Sequence, residues 1–167
     1  KPQKPKLVGE ELADLQIQHL MNMDEDGHKS LSHAQGVSGA TIRAIGCGQW
    51  FNPYSEKNVW TIPQRSLDGE LCGFRTMSQD GERQKRSITG SRAGAFFSRR
   101  HITDEFIRNF GLLLICEGFT DQMIAFDMGI LTAIGRSNCV GEHYQLADLV
   151  DRVRPPLVVI LADNDQA

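Results

Sequence analysis

The sequence contains few cysteines and histidines, and none of them stands at the spacing of a common metal-binding motif. Its four cysteines form no CxxC pair, and its five histidines form no HxH or HxxxH pair. These absences argue against zinc ribbons, zinc fingers and histidine-based metal sites. The cysteines are therefore predicted to be buried free thiols of a protein that works in a reducing compartment.

Long apolar runs and an excess of basic residues are also missing. No run approaches the roughly 20 residues that a membrane-spanning helix needs, and residues 1–10 lack the apolar segment of a signal peptide. Lys and Arg number 18 against 21 Asp and Glu, which argues against a histone-like or ribosomal protein but permits a local basic face. The 167 residues are 40% hydrophobic and 23% charged, as is typical of a globular chain of one domain or slightly more.

The pattern of apolar residues divides the chain into three regions. Residues 9–50 predict helices, of which two short ones form either a helical hairpin or a helix-turn-helix. Ser38 and Gly46 are the predicted start and end of the second short helix, and Thr103 and Gly111 those of a helix further along the chain. Residues 58–97 predict a three-stranded antiparallel meander with Asp-Gly turns. From residue 103 onward, helices alternate with short apolar strands, which indicates an open parallel α/β sheet. We therefore predict an α/β fold, α+β over the whole chain, with units at 1–57, 58–102 and 103–167.

Two apolar strands of the predicted parallel sheet run directly into acids. The strand at 112–116 is followed by Glu117, and the strand at 157–162, predicted to be fully buried, by Asp163 and Asp165. Functional groups of open α/β sheets gather beyond the carboxyl ends of the strands, so the three carboxylates are expected to converge. They would repel one another without a cation between them, and hard oxygen ligands suit Mg²⁺ or Mn²⁺. The structural alternative is that Asp163 caps a helix.

Two further residues near Glu117 are candidates for the same site. Gly118 leaves room for a phosphate or a metal ion to approach the backbone. Asp121 either orients Glu117 or caps the following helix.

A basic stretch precedes the predicted parallel sheet. Residues 83–108 contain seven cations and two acids, although the whole chain is negative. Gly90, Ser91 and Gly94 lie between the cations, which suits close approach to phosphates. We predict a face that binds nucleic acid or nucleotides, the alternative being a solvated basic surface without a partner. The candidate binding residues are Arg65, Arg75, Lys85, Arg86 and Arg92.

The acidic segments resemble the motifs of the Toprim domain, the catalytic module of bacterial-type DNA primases, topoisomerases and some nucleases. Residues 115–121 (ICEGFTD) resemble the family's glutamate motif, and residues 161–167 (LADNDQA) resemble its DxD motif. Upstream, the segments at 60–69 (WTIPQRSLDG) and 73–75 (GFR), with a basic loop that ends in aromatics at 95–97, are similar to the basic subdomain that precedes Toprim in bacterial and phage-type primases.

The resemblance implies a primase core that uses nucleoside triphosphates and Mg²⁺ or Mn²⁺ to make short primers on single-stranded DNA. Glu117 would be a metal ligand or general base, and Asp163 and Asp165 would hold the metal ion on the triphosphate. The residues implied to contact template or incoming nucleotide are Arg65, Arg75 and one of Lys85 and Arg86. A replicative helicase, fused or separate, is the implied further partner. The implied location is the cytoplasm of a bacterium, or of the bacterial host of a phage or plasmid.

Some features of the family are not found in the sequence. A zinc module and a further acidic motif are missing, so the Toprim sheet is expected to be incomplete, and the activity of this chain alone stays open. One alternative is a Toprim enzyme that cleaves DNA, but neither Tyr54 nor Tyr144 lies in a setting that suggests an activated nucleophile, and no P-loop appears. A second alternative is a non-catalytic module that binds single-stranded DNA, against which the three acids argue.

Overall fold

The computed structural model describes residues 7, 9–80, 86–137 and 143–162. These residues form six helices and seven strands arranged in two sheets. In chain order, the elements are α1 (Gly9–Met21), α2 (Glu25–Gln35), α3 (Gly39–Ile45), β1 (Gly48–Asn52), β2 (Lys57–Arg65), β3 (Leu71–Ser78), β4 (Arg86–Ser87), α4 (Asp104–Phe110), β5 (Leu112–Cys116), α5 (Phe119–Asp127), β6 (Ala133–Gly135), α6 (His143–Val153) and β7 (Leu157–Leu161). No helix within the described ranges is long and apolar enough to cross a membrane.

The short helices begin and end at residues whose chemistry favours helix termini. Ser38 accepts a hydrogen bond from the Thr41 amide at the start of α3, and Gly46 ends that helix with φ of 84°. Thr103 accepts a hydrogen bond from the Phe106 amide at the start of α4 in the same way, and Gly111 follows the last residue of α4. A polar cap supplies a partner for an amide that the helix leaves unpaired, and glycine adopts the left-handed conformation at little cost. These termini were predicted and are confirmed.

The first sheet is antiparallel, with the order β1-β2-β3-β4. The sequence predicted three strands and helix as far as residue 50, so β1 is a correction. This strand packs against α1 at Gly48, where an added Cβ would lie 2.6 Å from the backbone carbon of His19. Glycine permits that close approach, a tertiary contact that the local apolar pattern does not reveal.

The second sheet is parallel, with β5 between β6 and β7. The predicted alternation of helices with parallel strands is confirmed, but the predicted full burial of β7 is wrong. Leu157, Ile160 and Leu161 are 54%, 66% and 50% exposed. Among the described residues β7 pairs on one side only, with β5. It is therefore an edge strand there.

A short extended segment at residues 95–96 joins the two sheets. Ala95 exchanges two backbone hydrogen bonds of 2.8 Å with Arg65 of β2, and Phe96 exchanges two of 2.8 Å with Gly135 of β6. Phe96 belongs to the core that includes the helices α2 and α3, whereas Phe97 belongs to the core beneath α4 and α6. The alternation of side chains along an extended segment thus anchors both cores.

Candidate active site

A cavity of about 380 Å³ lies beyond the carboxyl ends of β5 and β6, on the side that faces the antiparallel sheet. Its lining residues come from both sheets, from the loop after β5 and from the first turn of α5. They are Arg75, Phe96, Glu117, Gly118, Phe119, Thr120, Asp121, Arg136 and Ser137. The predicted residues Glu117, Gly118, Asp121 and Arg75 are therefore neighbours in one cavity.

Glu117 lies between the end of strand β5 and the start of helix α5. Glu117 follows Cys116 in the chain. The carbonyl of Cys116 accepts a hydrogen bond of 3.0 Å from the Arg136 amide, which holds the chain after β6 next to the end of β5. Gly118 is the N-cap of α5 and has no side chain to cap the helix. An added Cβ there would meet only Asp121 Oδ2 within 4 Å, at 3.7 Å. Position 118 therefore adds no side chain to the space at the start of α5, and a helix N-terminus favours an anion.

Close packing fixes the floor of this cavity. An added Cβ at Gly135 would lie 2.5 Å from the carbonyl oxygen of Gly118 and 2.9 Å from Cβ of Gln122. Only glycine lets β6 approach the start of α5 so closely. The aromatic rings of Phe96 and Phe119 meet edge to face with centroids 5.5 Å apart, which closes the apolar side of the cavity.

Two arginines share the cavity with the acids, and only one of them, Arg75, was predicted from the sequence. Arg75 projects from β3 and donates a hydrogen bond of 2.9 Å to the carbonyl of Ser137, so it also supports the loop after β6. Arg136 lines the cavity next to it. The fold thus brings two arginines into the cavity of Glu117 and Asp121. Nothing in the sequence around Arg136 indicated that it would lie there.

The thiol nearest the acids is not a competing nucleophile. Burial, and then the charge of Asp121, raise the pKa of Cys116 to about 11, so the thiol stays protonated at neutral pH. Cys47 and Cys72 are buried free thiols as well, as predicted. Cys139 lies outside the described residues.

The remaining acids of the predicted metal site, Asp163 and Asp165, lie outside the described residues. Within the described ranges, no group of three or more His, Cys, Asp or Glu side chains could hold a metal ion. The part of the site that is described does fit a hard divalent cation. Glu117 and Asp121 supply carboxylate oxygens to one cavity, and such oxygens are the ligands that Mg²⁺ and Mn²⁺ prefer.

The predicted basic residues that the structure describes lie in different surroundings. Arg75 lies in the cavity with Glu117, whereas Arg65 and Arg92 line two other cavities and not that one. Arg86 is exposed on β4, and Lys85 lies outside the described residues. Arg65 itself is buried, with 7% of its surface exposed.

No family model matches the sequence, and no curated protein matches it. Solved structures do share its fold. The zinc-binding and RNA polymerase domains of the Aquifex aeolicus primase align with 96% of this chain at a TM-score of 0.70 and 15% identity, and 50% of that chain is covered.

Two further solved structures extend the comparison. The RNA polymerase domain of Mycobacterium tuberculosis primase DnaG, in complex with double-stranded DNA, aligns with 93% of this chain at a TM-score of 0.68 and 17% identity, and 63% of that chain is covered. The primase fragment of the bacteriophage T7 primase-helicase protein aligns with 80% at a TM-score of 0.58 and 14% identity, and 54% of it is covered. The chain thus spans between half and two thirds of these structures. It has the fold of primase catalytic cores.

Proposed function

We propose that this chain is the catalytic core of a DNA primase, a nucleotidyltransferase that joins nucleoside triphosphates into short primers on single-stranded DNA. The observation that carries the proposal is the register of the parallel sheet. Strands β5 and β7 are adjacent, and Cys116 stands opposite Leu161. Glu117 and the acidic segment at 163–165 therefore follow paired strand ends, which supports one site for Glu117, Asp163 and Asp165.

The acids would hold a divalent metal ion, Mg²⁺ or Mn²⁺. Bound there, the ion supplies Lewis-acid stabilisation to a phosphoryl group and aligns its oxygens. Glu117 is half-buried at the rim of the cavity and is the side chain that could accept the proton of an attacking 3′-hydroxyl. Asp121, one turn into α5, positions Glu117 or adds a further oxygen ligand.

The remaining groups of the cavity would bind phosphate. The guanidinium groups of Arg75 and Arg136 line it, and guanidinium pairs well with phosphate oxygens. Gly118 has no side chain that would fill the space at the start of α5, so an anion could approach the positive end of the helix dipole. The arrangement suits a triphosphate held between cations on one side and metal-binding carboxylates on the other.

The proposal extends to partners and location. The template would be single-stranded DNA, bound with the help of the exposed cations, and a replicative helicase would act with the primase, fused or separate. We propose that the protein works in the bacterial cytoplasm, including the case of a phage or plasmid gene in a bacterial host. The sugar of the primer and the start-site preference stay open.

The Glu117→Gln variant of the full-length protein tests the proposed reaction. The substitution removes the charge and the basicity but keeps the size, so nucleotide incorporation on a single-stranded template should fall about 100-fold or more. Glu105→Gln, in the first turn of α4 and exposed, is the matched control and should retain normal incorporation. Equal activity in the two variants would contradict the assignment of Glu117.

A further inference from the structure

A cavity with a basic lining lies away from the candidate active site, between α1 and the hairpin that joins β2 to β3. Its volume is about 610 Å³, and none of the residues that line it lines the cavity around Glu117. Three arginines, Arg65, Arg92 and Arg99, line it, and Glu70 is the acidic residue of the lining. Arg65 and Arg92 also line a neighbouring cavity. The cavity has the size of a small-molecule site and a net positive lining.

The buried member of the cluster lacks compensation for its charge. Arg65 is 7% exposed, and its Nη1 reaches only the carbonyl of Gly69, at 3.5 Å. Among the described residues, its buried Nε has no hydrogen-bond partner. Gly69 lines this cavity, so the guanidinium of Arg65 lies at the cavity wall. A buried charge is costly unless it is paired, and here the protein leaves the pairing incomplete.

A second arginine, Arg99, adds positive charge beside Arg65. A Cβ at Gly69 would lie 3.5 Å from Cγ of Arg99, which places that side chain beside the same glycine. Burial, and then the charge of Arg99, lower the pKa of Arg65 from its ordinary value. No ion pair joins any of the three arginines to a carboxylate within the described residues. Like charges held together without an ion-paired acid favour the binding of an anion.

Part of the cavity lining is apolar. Leu12 and Ala13 of α1 and Leu71 of β3 supply it, and Gln16 adds one amide. An inorganic anion would use only the arginines, whereas a nucleoside could cover the apolar wall. We propose that this cavity binds a free nucleoside di- or triphosphate, with the phosphates on Arg65, Arg92 and Arg99 and the nucleoside against α1. The site is separate from the proposed catalytic cavity and does not depend on the proposed reaction.

Titration calorimetry with ATP in EDTA tests the site, because chelation removes any metal-dependent binding at the carboxylates. Arg99→Ala changes an exposed residue and should weaken ATP binding about tenfold, the usual cost of one charge-assisted contact. Arg100→Ala removes the neighbouring exposed arginine, which does not line the cavity, and is the matched control. Arg75→Ala, which removes a cation from the catalytic cavity only, should bind ATP in EDTA as the wild type does, and this separates the present site from the catalytic one.

A second variant adds a carboxylate to the cavity and keeps all three arginines. Ala13→Glu introduces a carboxylate at an exposed position on the apolar wall, where it should pair with the arginines and abolish ATP binding without lowering the melting temperature. Adenosine should not bind, and inorganic triphosphate should bind more weakly than ATP. Absence of ATP binding, equal affinity in Arg99→Ala and Arg100→Ala, or equal affinity for inorganic triphosphate would overturn the proposal. So would an Arg99-dependent affinity for oligothymidylate without ATP binding, which would assign the arginines to a DNA strand.

Discussion

At the scale of single residues, His19 combines deep burial with a missing hydrogen-bond partner. It is 1% exposed on α1 and packs edge to face on Phe74, with ring centroids 4.7 Å apart. Neither ring nitrogen has a hydrogen-bond partner among the described residues. Burial lowers the pKa of His19 from 6.5 to about 4, because the protonated ring would lie in an apolar site.

This pKa predicts how stability depends on pH. Between pH 6.5 and about 4 the unfolded chain binds a proton at His19 and the folded chain does not, so the free energy of unfolding falls as the pH falls. Above pH 6.5 the contribution of His19 is constant, and the total loss on acidification is about 3 kcal/mol. Urea denaturation of the wild type and of His19→Leu from pH 7.5 to 4 measures it. The difference in unfolding free energy between the two should change over this range, and a constant difference would contradict the assignment.

At the scale of elements, the contact between β6 and α5 positions the glutamate. An added methyl group at Gly135 would lie 2.5 Å from the Gly118 carbonyl oxygen, so Gly135→Ala must push the start of α5 away from β6. We expect a loss of about 1–3 kcal/mol of stability, typical of overpacking, and a clear loss of nucleotide incorporation. Melting curves and incorporation assays measure the two effects.

The control for this substitution is Gly9→Ala. No heavy atom lies within 4 Å of the position that its Cβ would take, so the change should leave both stability and incorporation nearly unaltered. Full activity in Gly135→Ala would show that the glutamate loop tolerates displacement.

The elements that the sequence predicted well are those with local chemical signals. Ser38 and Gly46 mark the ends of α3 because capping depends on the residues themselves. The unbroken apolar run Leu112–Cys116 has four of its five residues buried because β5 is central in its sheet. The acid after it was therefore found from the sequence alone.

The elements that the sequence predicted poorly depend on distant partners. Gly48 begins β1 at a close contact with α1 and in register with β2, and Ile160 is exposed because β7 has a neighbour on one side only among the described residues. Arg136 enters the candidate site through the pairing of β6 with β5. None of these contacts can be recognised from the local sequence, because each depends on which elements pack together in the fold.

At the scale of the whole molecule, the segment at residues 95–96 couples a basic antiparallel sheet to a parallel sheet that ends in acids. The exposed cations beyond the cavities are then available for the phosphates of a strand. Each phosphate that a cation neutralises releases a counterion, so binding of single-stranded DNA should weaken steeply as salt is raised.

Arg86 on β4 tests this expectation, since it is exposed and lines none of the three cavities described above. Arg86→Ala should reduce the slope of log affinity against log salt by about 0.7, the value for one phosphate of a single strand. Lys29→Ala, which removes an exposed cation from α2, should leave the slope unchanged. Fluorescence anisotropy of labelled oligothymidylate at several salt concentrations measures it, and salt-independent binding would count against a cationic DNA face.

In the proposed reaction, the acids after β5 and β7 carry out nucleotidyl transfer through a metal ion, while the cations hold the template. Asp163→Ala in the full-length protein tests it most directly, with nucleotide incorporation in Mg²⁺ and then Mn²⁺ measured beside single-stranded DNA binding and the melting temperature. Incorporation should be abolished, since a lost metal ligand costs several kcal/mol in the transition state, while DNA affinity stays equal or rises slightly because a negative charge is removed. Incorporation near the wild-type level, or a loss of binding that parallels the loss of incorporation, would contradict the account.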